Sequence, residues 1–209
     1  VWGKKDAQDA DAGREDNPTP NLHTPWATDD ACVRMPDTLA ECADLVLRTA
    51  DPAMKAALSH AAYAKFVASD GTMRVGVASP PNRPARPDRP ELVHPKDVPS
   101  PKTCPLGMSA AMIHNAAHIE LNAIDLAWDT VARFSALAAD RGGDRGDGNL
   151  INLPVDFFAD FARVADDESR HLGWCLQRLG EMGVRYGDIP AHNVLWEGAE
   201  STAGSLPAR

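Results

Sequence analysis

The stretch Phe157-Phe-Ala-Asp-Phe-Ala-Arg-Val-Ala-Asp-Asp-Glu-Ser-Arg-His-Leu-Gly-Trp-Cys-Leu-Gln-Arg-Leu179 decides the fold of this chain. Phe157, Phe161, Val164, Glu168, His171, Cys175 and Leu179 recur at steps of 4, 3, 4, 3, 4 and 4, the period of a packed amphipathic helix. Apolar residues hold both ends of this stripe, and Glu168 and His171 interrupt it. A carboxylate turned towards a core is costly unless it is paired, protonated or bound to a metal. The Glu-x-x-His spacing puts an oxygen donor and a nitrogen donor one turn apart on one face.

A second stretch makes the same exception. Ile113, Ala117, Glu120, Ile124, Ala127, Val131 and Phe134 recur at 4, 3, 4, 3, 4 and 3, with the single carboxylate of Glu120 in the seam. A polar, glycine-rich connection over 139–149 joins the two stretches, which predicts an antiparallel hairpin of 107–138 and 154–183. At about 1.5 Å per residue, Glu120 lies roughly 25 Å from the turn and Glu168 roughly 21 Å, so both sit near one level. A Glu from one helix and a Glu-x-x-His from another are ligand elements of dinuclear carboxylate bundles.

The remaining sequence narrows the class. The chain has 209 residues, 44% hydrophobic and 24% charged, which suits one domain with a real core. Its formal net charge of −9 disfavours a nucleic-acid surface. No apolar run approaches the roughly 18 residues of a membrane span, so membrane insertion is not expected. The four cysteines, Cys32, Cys42, Cys104 and Cys175, are scattered without a CxxC and read as reduced thiols of an intracellular compartment. That compartment is an organelle if a targeting segment precedes Val1.

Residues 1–35 are polar and proline-containing and read as an extended or disordered arm. Over 36–70 two helices are expected. Thr38-Leu-Ala-Glu41 is a capping box, and Asp51-Pro52 supplies an N-cap followed by proline at the first helical position. These helices read as structural packing, with no acid or histidine embedded in their apolar face. The segment 72–106 is proline-rich, and nine of the 17 prolines fall within 80–105. Proline lacks the backbone donor, so this segment is neither helix nor central strand. The pairs Arg83-Pro84, Arg86-Pro87 and Arg89-Pro90 suit a strap whose arginines pair with helix acids; the alternative is a proline-motif ligand for a partner domain. Residues 190–209 begin a further helix.

Several motifs resemble a ferritin-like family of unknown function, the domain of unknown function 455, across about residues 36–203. They are Pro80–Val93, His118–Asp129, Val164–His171, Tyr186–Asn193 and Leu195–Glu197. The resemblance implies an all-α, ferritin-like helical bundle occupying 36–209, and a dinuclear carboxylate site of iron or manganese. Glu120, Glu168 and His171 match the ligands of the first two bundle helices. Members similar to this chain continue into two further helices with another glutamate and a second Glu-x-x-His. This chain therefore corresponds to the N-terminal part, with two core bundle helices. A homodimer or a second polypeptide would complete such a bundle. Asn193 stands where the family is expected to carry aspartate.

His114 and His118 share a face that is not the Glu120 seam. His118 is weighed between a hydrogen bond in the packed bundle and a role beside the metal. His192 is read as structural. Asp166, Asp167 and Arg170 flank the seam as solvent or strap contacts, and Glu197 is read as exposed by default. Two function classes stand: a non-haem iron or manganese oxidoreductase of unknown substrate, and a non-catalytic structural or interaction subunit that has lost the site. In the second, Glu120, Glu168 and His171 form a polar cluster without metal.

Overall fold

The computed structural model describes residues 34–139 and 152–208. Nearly all of the expected arm, Cys32 and the glycine-rich connection lie outside the described residues. The described chain is all-helical, with α1 at Leu39–Leu47, α2 at Pro52–Ala68, α3 at Met108–Phe134, α4 at Val155–Glu181 and α5 at Val194–Thr202. There is no β-strand among the described residues. None of their helices is long and apolar enough to cross a membrane.

Local chemistry sets the helix ends. The Thr38 hydroxyl accepts from the Glu41 N–H at 3.3 Å and donates to the Glu41 carboxylate at 2.8 Å. The Asp51 carboxylate accepts from the Met54 N–H at 2.8 Å, with Pro52 opening α2. The Ser69-Asp-Gly71 stop is a left-handed turn, with φ of 47° at Asp70 and 79° at Gly71. The start of α5 falls at Val194 because Ala191 is spent elsewhere: it exchanges backbone hydrogen bonds with Glu91 and Val93 of the strap.

α3 and α4 form the antiparallel hairpin. Its turn end is closed by backbone bonds from Ala139 to Leu153 and from Leu153 to Leu137, each 2.8 Å. α1 lies on α3, α2 lies on α4, and α1 and α2 pack on each other. They cover one side of the hairpin, and α1 alone buries Leu39, Ala40, Cys42, Ala43, Val46 and Leu47. On α3, the seam of Ala117, Ile124, Ala127, Val131 and Phe134 is buried.

On α4 the deeply buried stripe is Phe158, Ala162, Ala165, Ser169, Leu172 and Leu179. It is offset from the stripe read in the sequence. Phe157, Phe161 and Cys175 are half-buried, and Val164 is 39% exposed. The physical reason is that α4 packs on two partners. Its small residues let α2 approach closely, while the Phe157–Cys175 stripe borders an open groove beside α3. Ser59 shows how tight the junction is: its hydroxyl accepts from Trp128 Nε1 at 2.8 Å and donates to the Ala165 carbonyl at 3.1 Å, linking three helices.

The N-terminal helices carry more chemistry than packing alone. Lys55 of α2 is fully buried, with its Nζ 2.5 Å from Asp125 of α3 and 3.0 Å from the Ala85 carbonyl. Arg86 reaches the same carboxylate at 2.8 Å and also donates to Asn122 Oδ1 at 2.8 Å. Burial pushes the Lys55 amine down and the Asp125 carboxyl up, and each is opposed by the charge of its partner. The charge of Arg86 also works against the rise at Asp125. A further strap contact is Arg83 with Glu200 of α5 at 2.6 Å. Gly187, with φ of 104°, leaves room for the strap, since a Cβ there would stand 2.8 Å from Arg89 Cβ.

Candidate metal centre

Glu120, Glu168 and His171 come together in the groove between α3 and α4. Each offers one donor atom, and these atoms lie within 4.8 Å of one another. His171 Nδ1 is 2.7 Å from Glu168 Oε2 and 3.7 Å from Glu120 Oε2. The Glu-x-x-His pair owes its position to one turn of α4, and Glu120 arrives from the facing level of α3. The two carboxylate side chains are 22% and 24% exposed and the imidazole is 46% exposed. The three groups are thus partly buried between α3 and α4 and not enclosed in a core.

The electrostatics are those of a crowded anionic site. Partial burial, followed by the hydrogen bond and the charge of Glu168, pushes the Glu120 carboxyl up to about 7, against the opposing pull of His171. Two acids at this separation resist double ionisation. A cation placed between them would relieve that repulsion. Cys175, one turn beyond His171, has its thiol pushed up by burial and by the charge of Glu120.

The other candidates fall elsewhere. His118 is buried on the far face of α3, with Nδ1 2.8 Å from Tyr186 Oη and Nε2 2.9 Å from the His192 carbonyl. Burial pushes its imidazole down to about 4, which fits a neutral structural residue. His114 accepts from the Gly187 N–H at 2.8 Å and stacks on Tyr186. His192 serves through its carbonyl. Glu197 is exposed, and Asn193 is the N-cap of α5 without a side-chain cap bond. Asp166 corrects the reading of it as a solvent or strap contact: it is buried, 2.7 Å from His60 Nδ1 of α2 and bonded to Arg170. Asp167 also pairs with Arg170.

Sequence reasoning expected strap arginines to meet helix acids, as Arg86 meets Asp125, but missed the buried Lys55 and which acid it shares. The available signal was register, because Asp125 shares a stripe with Leu121, Trp128 and Ala132.

An all-helical chain with a two-carboxylate, one-imidazole cluster is the class these observations define. The family described as "Protein of unknown function (DUF455)" matches residues 48–209, and the chain belongs to it. The chain is also similar to an uncharacterized protein of Haemophilus influenzae (strain ATCC 51907 / DSM 11121 / KW20 / Rd). The identity is 34% over 167 residues, covering 78% of this chain and 55% of the relative. The chain thus spans about half the length of that curated relative. No solved structure matches.

Proposed function

We propose that Glu120, Glu168 and His171 hold iron or manganese, and that the chain is a metal-dependent oxidoreductase of the ferritin-like kind. The observation that carries this reading is the convergence of three donor atoms from two helices within 4.8 Å. The donor set fits the ion. Carboxylate-rich sites with few imidazoles suit hard, octahedral metals, and a divalent charge would offset the crowding of the Glu120 and Glu168 carboxylates. When bound, such a metal supplies activation of dioxygen or peroxide. The protein's own part is to bind and orient it: Glu168 and His171 from one rigid turn, Glu120 from across the groove. Three donors leave a dinuclear site incomplete, so ligands beyond these three complete it. The free thiols of Cys42, Cys104 and Cys175 fit a reducing compartment.

One observation favours the second reading, a non-catalytic interaction subunit. Glu168 and His171 already hydrogen-bond each other at 2.7 Å, so the cluster is satisfied without an ion. Elemental analysis of protein purified without chelators separates the two. The oxidoreductase reading expects at least one iron or manganese per two chains, lost in Glu168→Leu. Wild-type protein holding less than that would leave the interaction subunit.

A further inference from the structure

Across α3 from the metal-ligand candidates, Arg86, His118, Tyr186 and Asn193 line a cavity of about 30 Å³ beneath the strap. That volume admits one or two waters or a single monatomic ion. Two of the four polar groups are fully engaged within the chain. The His192 carbonyl can only accept, so His118 Nε2 donates to it at 2.9 Å. The neutral imidazole then accepts at Nδ1 from the Tyr186 hydroxyl at 2.8 Å.

Arg86 is different. Its Nε is buried and meets no acceptor among the described residues. Its terminal nitrogen donates to Asn122 Oδ1 at 2.8 Å and lies 2.8 Å from Asp125 Oδ2 without the alignment of a hydrogen bond. Asn193 makes no capping bond with its side chain, so its amide is a second available donor.

The charge around the cavity is also unbalanced. Lys55 and Asp125 have fully buried side chains, and that one carboxylate faces two cations, Lys55 and Arg86. The neighbouring Asp129 is engaged by Arg133 at 2.6 and 2.9 Å. A buried cationic group is costly without a counter-charge. Water at Arg86 Nε would satisfy the N–H and leave the charge unanswered, whereas an anion would answer both.

We propose that this cavity binds one small monovalent anion of chloride size, held by Arg86 Nε and the Asn193 amide. The anion completes the junction where the strap meets α3 and the turn before α5. There Val93 donates to the Ala191 carbonyl and Ala191 to the Glu91 carbonyl. The site does not depend on the metal reading. It also has a built-in substitute: Asn193→Asp sets a carboxylate of the same shape beside Arg86 and repels the anion.

The test is a thermal melt of the full 209-residue chain in EDTA, in sodium chloride and in sodium gluconate at equal ionic strength. Gluconate is too large for the cavity. At a tenfold excess of chloride over Kd, wild type is expected to melt about 3–6 °C higher in chloride than in gluconate. Asn193→Asp is expected to melt alike in both salts, and no lower in gluconate than wild type. No difference between the salts for wild type overturns the proposal, because the cavity then holds water alone. The same difference in Asn193→Asp overturns it too, as a general salt effect. Wild-type crystals grown in sodium bromide give a second reading that stands even if Asn193→Asp does not fold. An anomalous peak beside Arg86 Nε upholds the site. Peaks confined to the surface show an adventitious ion only and overturn it, whatever the melts show.

Discussion

Glu120 carries the most testable electrostatics in the molecule. Its carboxyl is raised from 4.5 to about 7 in the folded protein, so the folded state holds a proton that the unfolded chain has released. Its share of stability is therefore present in full below about pH 4.5 and is lost as the pH rises through 7. In metal-free protein, the stability of wild type relative to Glu120→Gln is expected to fall by about 1 kcal/mol between pH 5 and pH 8, once solvent screening of a partly exposed group is allowed for. Urea unfolding of both proteins in EDTA at the two pH values measures it. A difference that does not change with pH would contradict the raised carboxyl of Glu120. Asp125 makes the opposite kind of prediction. Asp125→Ala strands Lys55 and Arg86 beside each other in the core and should cost about 3–5 kcal/mol by the same unfolding assay. Lys55→Met/Asp125→Leu, which leaves no orphaned lysine, should cost less. The sequence made Glu120, Glu168 and His171 visible because each breaks an apolar stripe. It hid Lys55 because a lysine at helical spacing looks like solvent surface until its partner, 70 positions away, is known to face it.

At the scale of elements, the strap over 72–106 depends on unequal anchors. Arg83 and Glu200 pair at the surface, with side chains 70% and 32% exposed, which is worth less than about 1 kcal/mol. Arg86 is 21% exposed and reaches a fully buried carboxylate. Arg86→Ala should therefore destabilise by about 2 kcal/mol or more, and Arg83→Ala by a few tenths. Arg86→Ala should also speed amide hydrogen exchange at Ala85 and Val93, whose N–H groups tie the strap down, where Arg83→Ala should not. Equal effects would mean that the buried anchor does not hold the strap. The helix starts at Thr38 and Asp51 were legible because capping is local chemistry. The pairing of the strap with Ala191 was not, since backbone bonds between distant segments leave no mark in residue type. The offset of the α4 core stripe escaped for a related reason. Phe157 and Phe158 are both apolar, and only the packing of α2 against Ala162, Ala165 and Ser169 decides which of them is buried.

For the molecule as a whole, α1 and α2 close one side of the α3–α4 hairpin, and the other side presents three metal-ligand candidates in an apolar surround. The two long helices followed from periodicity, the all-α class from the family resemblance, and the convergence of Glu120 with Glu168 from their similar distances to the turn. The half-open character of the groove did not, because a stripe shows which residues share a face and not what lies opposite it. The central claim is that this groove binds metal through Glu168 and its two neighbours. The most direct measurement is a thermal melt of wild type and Glu168→Leu, each in chelator and in anaerobic Fe(II). A ligand that binds only the folded state adds about 2.7 kcal/mol at a hundredfold excess over Kd. For a chain of this size that is about 5–10 °C. Metal binding at this site predicts such a rise for wild type and none for Glu168→Leu, whose melt in chelator should equal or exceed that of chelated wild type. The same Fe(II) response in both proteins, or none in either, would contradict it.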